Sequence, residues 1–214
     1  MFYIIASPQS GVGKTTLATH FTQTLAQQGS TILIDAESQQ EAYQWSQRYT
    51  RDFAYEHFIF DPQDHHRLSK RIQQLKQHYA HVILDISAQD HPAFRSVLFL
   101  ADKLIVPTHP TTPDVAALKD MAHLMVAVKQ YNPELKAYLV INKAPLTDTT
   151  ALNEIKTLLR QVPDVKLLEM VLRDRQEYRD TLSDGHTVLQ LVKHPAKDDF
   201  IALMAEILDD QFVS

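Results

Sequence analysis

Ser7-Pro8-Gln9-Ser10-Gly11-Val12-Gly13-Lys14-Thr15-Thr16 stands between a continuous apolar run, Phe2 to Ala6, and a stretch with helical periodicity. The whole chain has four glycines, and two of them, Gly11 and Gly13, fall in this decapeptide. Glycine lets successive backbone N–H groups turn inward on an anion with no side chain in the way. Lys14 then stands where a phosphate lysine belongs, and Thr15 offers a hydroxyl to magnesium. A buried strand that feeds the loop, and a helix that the loop opens, put a partial positive charge at the phosphates. The expected nucleotide-binding set is Gly11, Val12, Gly13, Lys14, Thr15 and Thr16. The usual pattern has a further glycine five residues before Gly13, and that position is Pro8.

Outward from the loop, strands alternate with helices. Leu17, Ala18, Phe21 and Leu25 fall at helical spacing and predict a helix from Thr15 to Gln28, closed by Gly29 as C-cap. Strands are expected at Thr31–Asp35, His57–Phe60, His81–Asp85, Lys103–Pro107, Tyr138–Asn142 and Val165–Val171. Helices are expected at Gln40–Tyr49, Asp64–Tyr79, Asp114–Tyr131, Thr150–Arg160 and Pro195–Leu208, the last with proline at its start. Arg173 to Lys193 is the least regular stretch and rich in charge. The alternation predicts an α/β fold: a three-layer, twisted parallel sheet with helices on both faces, as one domain over residues 1–214.

Composition removes several classes of function. There is no cysteine, hence no disulfide framework and no thiolate metal site. A net charge of −5 speaks against indiscriminate coating of nucleic acid, while leaving room for a local basic patch. No apolar run approaches the roughly 20 residues of a membrane span, and the expected address is the cytoplasm.

In a parallel α/β sheet, ligands sit outside the carboxyl ends of the strands. Asp35, Glu37 and Asp85 lie at or just past such ends and are expected to converge on the loop. Asp85 closes the run Val82-Ile83-Leu84 and is expected to hold magnesium through a water, alongside Thr15. Asp35 or Glu37 would position or deprotonate an attacking water, with helix N-capping as the alternative use of each carboxylate. Asn142, at the end of a strand, offers both a donor and an acceptor to a base edge, or is simply a turn residue. The late basic residues Arg173, Arg175, Lys193 and Lys197 are interleaved with acids. They form either a solvated mixed face or a weak, salt-sensitive DNA surface completed by dimerisation. Trp45, and the long helix around Met121 and Met125, are either core or a partner surface.

Four stretches carry a resemblance to the ParA/MinD family of deviant-Walker ATPases over nearly the whole chain. They are Gly11 to Thr16, Ile32 to Gln39, Val82 to Asp85, and Ala101 to Pro107 with Pro110 to Asp114. Val171 to Arg175, with Gly185 and Val188-Leu189, is similar to the short plasmid-partition ParA proteins that lack an N-terminal DNA-binding extension. The resemblance implies a bacterial, nucleoid-associated Mg-ATPase. ATP would drive a homodimer that binds DNA non-specifically, and a ParB-like or other small adaptor would stimulate slow hydrolysis. The cargo so positioned would be a plasmid, a chromosome or another body. Lys14, Glu37 and Asp35 take the catalytic positions in this comparison, and ATP and Mg2+ are the implied cofactors. Stable membrane binding is not expected, because Asp209 and Asp210 stand where a lipid-binding helix would need basic residues.

Two positions depart from the family pattern. Gln9 replaces the signature lysine that crosses to the other subunit's phosphates, and Glu37 replaces the usual catalytic aspartate. Lys143 and Lys156 are the candidate replacement cations. Carboxysome-distributing relatives also look unusual at the Gln9 position. These departures keep open a second reading, a nucleotide-binding scaffold of the same fold with little hydrolysis.

Overall fold

The computed structural model describes residues 1–48, 54–57, 65–88, 92–110, 115–146, 153, 156–157 and 159–209. Among them, β1 (Phe2–Ser7), β2 (Thr31–Asp35), β3 (Ala54–His57), β4 (His81–Ser87), β5 (Lys103–Thr108), β6 (Lys136–Ile141) and β7 (Lys166–Leu167) form one parallel sheet. Its strand order is β3-β2-β4-β1-β5-β6-β7. The helices are α1 (Lys14–Ala26), α2 (Glu41–Arg48), α3 (His65–His78), α4 (Pro92–Leu98), α5 (Val115–Lys129), α6 (Gln176–Ser183) and α7 (Pro195–Leu208).

Side-chain alternation along the strands divides the core in two. Phe2, Ile4 and Ala6 of β1 point to the face where Leu68 and Ile72 of α3, Phe94 of α4 and Leu118, Met121 and Met125 of α5 pack. Tyr3 and Ile5 point to the other face, against Leu17 and Phe21 of α1, Trp45 of α2 and Phe200 and Leu203 of α7. Both faces of the central strands are therefore buried, which is why they read as unbroken apolar runs rather than alternating ones.

The structure corrects several expectations. Gly29 is no left-handed cap: α1 ends at Ala26 with Gln27 as its C-cap, and Gly29 has no positive φ. A Cβ on Gly29 would stand 3.0 Å from the Ala80 Cβ, so close packing accounts for the glycine. β3 begins earlier than expected because Ala54 to His57 pair in register with Ile32 to Asp35; residues 58–60 lie outside the described residues. The expected strand from Val165 shrinks to two residues. Its ladder breaks where the N–H groups of Glu169 and Met170 donate instead to the two carboxylate oxygens of Glu206, at 2.9 and 3.0 Å. It resumes as Leu172 donates to the Ile141 carbonyl at 3.0 Å. Two helices were not anticipated. In α4, Ala93, Phe94, Val97 and Leu98 are buried within an apolar stretch that reads equally as strand. In α6 only Tyr178 and Thr181 are buried, too few to signal a period. Most of the expected helix from Thr150 to Arg160 lies outside the described residues.

Trp45, Met121 and Met125 are all core residues, so none of them forms a partner surface. No helix among the described residues is long and apolar enough to cross a membrane.

Candidate nucleotide-binding site

The loop between β1 and α1 lies at the carboxyl edge of the sheet, where its neighbours β4 and β2 also end. Asp35 and Asp85 are Cα partners in the β2–β4 register, so both carboxylates arrive at one place. Gly11 and Gly13 have φ of 69° and 92°, a left-handed region that side chains disfavour. A Cβ on Gly13 would collide with the Asn142 side-chain amide. That amide donates to the Val12 carbonyl at 2.8 Å, while its oxygen accepts from the Lys143 N–H at 2.9 Å. Asn142 is thus a brace for the loop from the end of β6. Lys143, held at φ 57°, reaches the Gly11 carbonyl with its ammonium at 2.6 Å.

The Thr15 hydroxyl donates to Asp85 Oδ2 at 2.7 Å, and Asp85 Oδ1 is buried without a hydrogen-bond partner among the described residues. Burial pushes the Asp85 carboxyl up to about 8; Asp35 and Glu37 push the same way, against the Thr15 hydrogen bond and Lys14. An orphaned carboxylate oxygen beside a hydroxyl, in an otherwise anion-rich corner, fits a hydrated magnesium ion. Asp35 has a different task. Its Oδ1 accepts from the Glu37 N–H at 2.9 Å and its Oδ2 from the Tyr43 N–H at 3.1 Å. It fixes the turn carrying Glu37 and the start of α2. Glu37 is itself paired with Lys14, Oε1 to Nζ at 3.4 Å, at a site where both side chains are largely buried.

Gln9 lies on the same cleft, and its side-chain oxygen accepts from the Thr108 hydroxyl at 3.2 Å. Opposite the loop, the cleft is walled by Arg173, Arg175, Tyr178 and Arg179. The volume of the cleft is about 440 Å³. Arg173 donates to the Pro145 carbonyl at 2.6 Å, and Arg175 pairs with Asp199 at 3.3 Å. Lys193 and Lys197 lie apart, at the entry to α7: Lys193 is exposed, and Lys197 donates to the Leu191 carbonyl at 3.1 Å. Lys156 is held by Glu169, at 3.3 Å from its carboxylate, so of the two candidate cations only Lys143 stands on the loop. Tyr178 and Arg179 were missed as cleft residues in the sequence because α6 was not foreseen.

A glycine loop braced at a helix start, a half-buried lysine, and a threonine–aspartate pair at the carboxyl edge of a parallel sheet define a P-loop nucleotide-binding protein. Residues 3–188 match the family model described as the CobQ/CobB/MinD/ParA nucleotide binding domain, and the chain belongs to that family of P-loop ATPases. The chain is 24% identical over 208 residues to the maintenance of carboxysome distribution protein A of Halothiobacillus neapolitanus, covering 95% of this chain and 94% of that protein. Apo McdA from Cyanothece superposes with a TM-score of 0.80 at 15% identity, covering 96% of this chain and 98% of that one. A putative plasmid partition protein from Borrelia burgdorferi bound to AMPPNP superposes with a TM-score of 0.76 at 13% identity, covering 97% and 98%.

Proposed function

We propose that this chain is a Mg2+-dependent ATPase that works as an ATP-driven dimerising switch to position a cargo. The cargo would be a carboxysome-like body, a plasmid or a chromosome, with non-specific DNA as the track. The observation that carries the reading is the convergence of Lys14, Glu37, and the Thr15–Asp85 pair on one braced glycine loop. The backbone of Gly11 to Thr16 and the Lys14 ammonium would bind the phosphates, and Asn142 keeps the loop in shape for them. Thr15 directly, and Asp85 through water, would hold magnesium, which neutralises charge building up on the phosphates. Glu37 would orient the attacking water, with Asp35 holding Glu37's turn in place. Arg173 and Arg175, on the wall of the cleft, with Lys193 and Lys197 at the start of α7, are the residues assigned to DNA. A small adaptor protein would stimulate turnover. The setting assigned to this cycle is the bacterial cytoplasm, on the nucleoid.

The test is ATP turnover with and without DNA, beside Lys14→Ala. Turnover that depends on Lys14 is expected; turnover independent of it under every condition would overturn the reading. One observation favours a second reading, a binding scaffold with little hydrolysis. Glu37 serves as the counter-ion of Lys14, and Gln9 brings no charge to a dimer partner. Gln9→Lys combined with Glu37→Asp separates the two. A double variant that turns over far faster than the natural chain supports the scaffold.

A further inference from the structure

His20 is fully buried in α1, one turn beyond the phosphate loop, and the chemistry proposed above makes no use of it. Both of its ring nitrogens are committed. Nδ1 stands 2.7 Å from the Thr16 carbonyl, and Nε2 accepts the Val188 N–H at 3.0 Å. A carbonyl can only accept and a backbone N–H can only donate, so the ring is neutral and carries its proton on Nδ1. The two partners come from distant parts of the chain. Thr16 ends the phosphate loop and lines the cleft, whereas Val188 opens the short 3-10 turn Val188–Gln190, between α6 and α7.

That turn is continuous with the far wall of the same cleft. Tyr178, Arg179 and Leu182 of α6 line the cleft opposite the loop. The N–H groups of Gly185 and His186 donate to the Leu182 and Thr181 carbonyls at 3.3 and 2.7 Å, so α6 and the chain as far as His186 form one hydrogen-bonded piece. Thr187 N–H then donates to Gln190 Oε1 at 3.1 Å. His20 also backs the wall directly. Its ring centroid lies 5.5 Å from that of Tyr178, whose hydroxyl donates to the Ala196 carbonyl at 3.0 Å, and 5.1 Å from that of Phe200 in α7. α2 grips the same piece from the other side. Trp45 Nε1 donates to the His186 carbonyl at 2.9 Å, and Arg48 donates to the Ser183 carbonyl at 2.7 Å. Gly185, at φ 72°, lies so near Arg48 that a Cβ there would collide with it.

We propose that His20 is a positioning residue for the nucleotide, fixing the separation between the phosphate loop and the α6 wall so that the nucleoside end meets a preformed surface once the phosphates are on the loop. This role rests on the nucleotide-binding function proposed above and deepens it. An apolar side chain of similar bulk would fill the space, but it would leave the Val188 N–H buried without an acceptor and the two banks unlinked. A wall ordered before the ligand arrives adds affinity, because that ordering is no longer charged to binding. A ligand that occupies the loop alone gains nothing from it.

The test is calorimetric titration of the full-length chain, in magnesium, with two ligands. A non-hydrolysable ATP analogue spans both banks, and inorganic tripolyphosphate occupies the loop alone. His20→Asn keeps a donor for Thr16 but is too short to reach Val188, whereas His20→Gln reaches Val188 with an acceptor. His20→Asn is expected to weaken the analogue about 10-fold while tripolyphosphate stays within about twofold, and His20→Gln to hold both near the natural values. Circular dichroism checks folding. Should His20→Asn not fold, Gly185→Ala decides, since it displaces the turn from the α2 side with His20 intact, and the same selective loss is expected. Both ligands weakened alike, neither weakened, or His20→Gln losing the analogue as His20→Asn does, overturns the positioning role. A natural chain that binds neither ligand refutes the nucleotide-binding function and this role with it. A natural chain that binds both, with variants that do not separate them, refutes the role alone.

Discussion

Thr15 donates a 2.7 Å hydrogen bond to one oxygen of Asp85, while the other Asp85 oxygen is buried with no hydrogen-bond partner among the described residues. A carboxyl so placed keeps its proton up to about pH 8 in the folded chain, against 3.8 for an ordinary aspartate. The folded state therefore binds more protons than the unfolded one across that window, and stability falls as pH rises through it, by up to about 1.4 kcal/mol per unit. Asp85→Asn should flatten this slope. Urea unfolding of the nucleotide-free chain at pH 6.5 and 8 is expected to show the natural chain losing stability over that step and the variant holding level.

His20 gives the opposite slope. It is fully buried in α1, with Nδ1 2.7 Å from the Thr16 carbonyl and Nε2 accepting the Val188 N–H at 3.0 Å. Burial holds it near 3 instead of 6.5, only weakly countered by the Thr16 hydrogen bond. Below pH 6.5 the unfolded chain takes up a proton that the folded chain refuses, so this contribution is lost as pH falls. Relative to His20→Gln, the natural chain should lose about 1.6 kcal/mol between pH 6.5 and 5, read as a shrinking gap between the two urea midpoints.

Gly13 and Asn142 should be energetically coupled. Gly13→Ala places a side chain at φ 92° and against the Asn142 amide, and is expected to cost ~2 kcal/mol or more. Asn142→Ala leaves the Val12 carbonyl unpaired, at about 1–2 kcal/mol. The double variant should be less destabilised than the sum, since the collision is gone, while the φ strain persists. Thermal unfolding of the four proteins measures this coupling.

Glu37→Gln separates two duties of one carboxylate. Its ion pair with Lys14 must open for phosphate to reach the lysine. Without that pair, a non-hydrolysable ATP analogue should bind ~3- to 10-fold tighter by calorimetry, on the scale of one partly exposed ion pair. Turnover should drop by ~10²-fold or more if the carboxylate orients the water.

The sequence by itself determined what depends on local spacing. A phosphate loop is a run of consecutive residues between a strand and a helix, so Gly11 to Thr16 were legible before any coordinates. So were β1, β2, β4 and β5, whose unbroken apolar runs reflect burial on both faces. The convergence of Asp35, Glu37 and Asp85 followed from the rule that parallel strands deliver their ends to one edge. Only the tertiary structure decided what each of these groups touches. Asp35 holds backbone N–H groups, Glu37 sits on Lys14, and Asn142 and Lys143 brace a loop about 130 residues away in the chain. Glu206 breaks the last strand with its carboxylate, and no propensity in Val165 to Val171 records that. The Phe99–Tyr131 ring contact was equally invisible, since only the fold brings these two residues together. The physical reason is one of range. Backbone conformation answers to neighbouring residues, whereas hydrogen-bond partners and desolvation are set by segments that folding brings together.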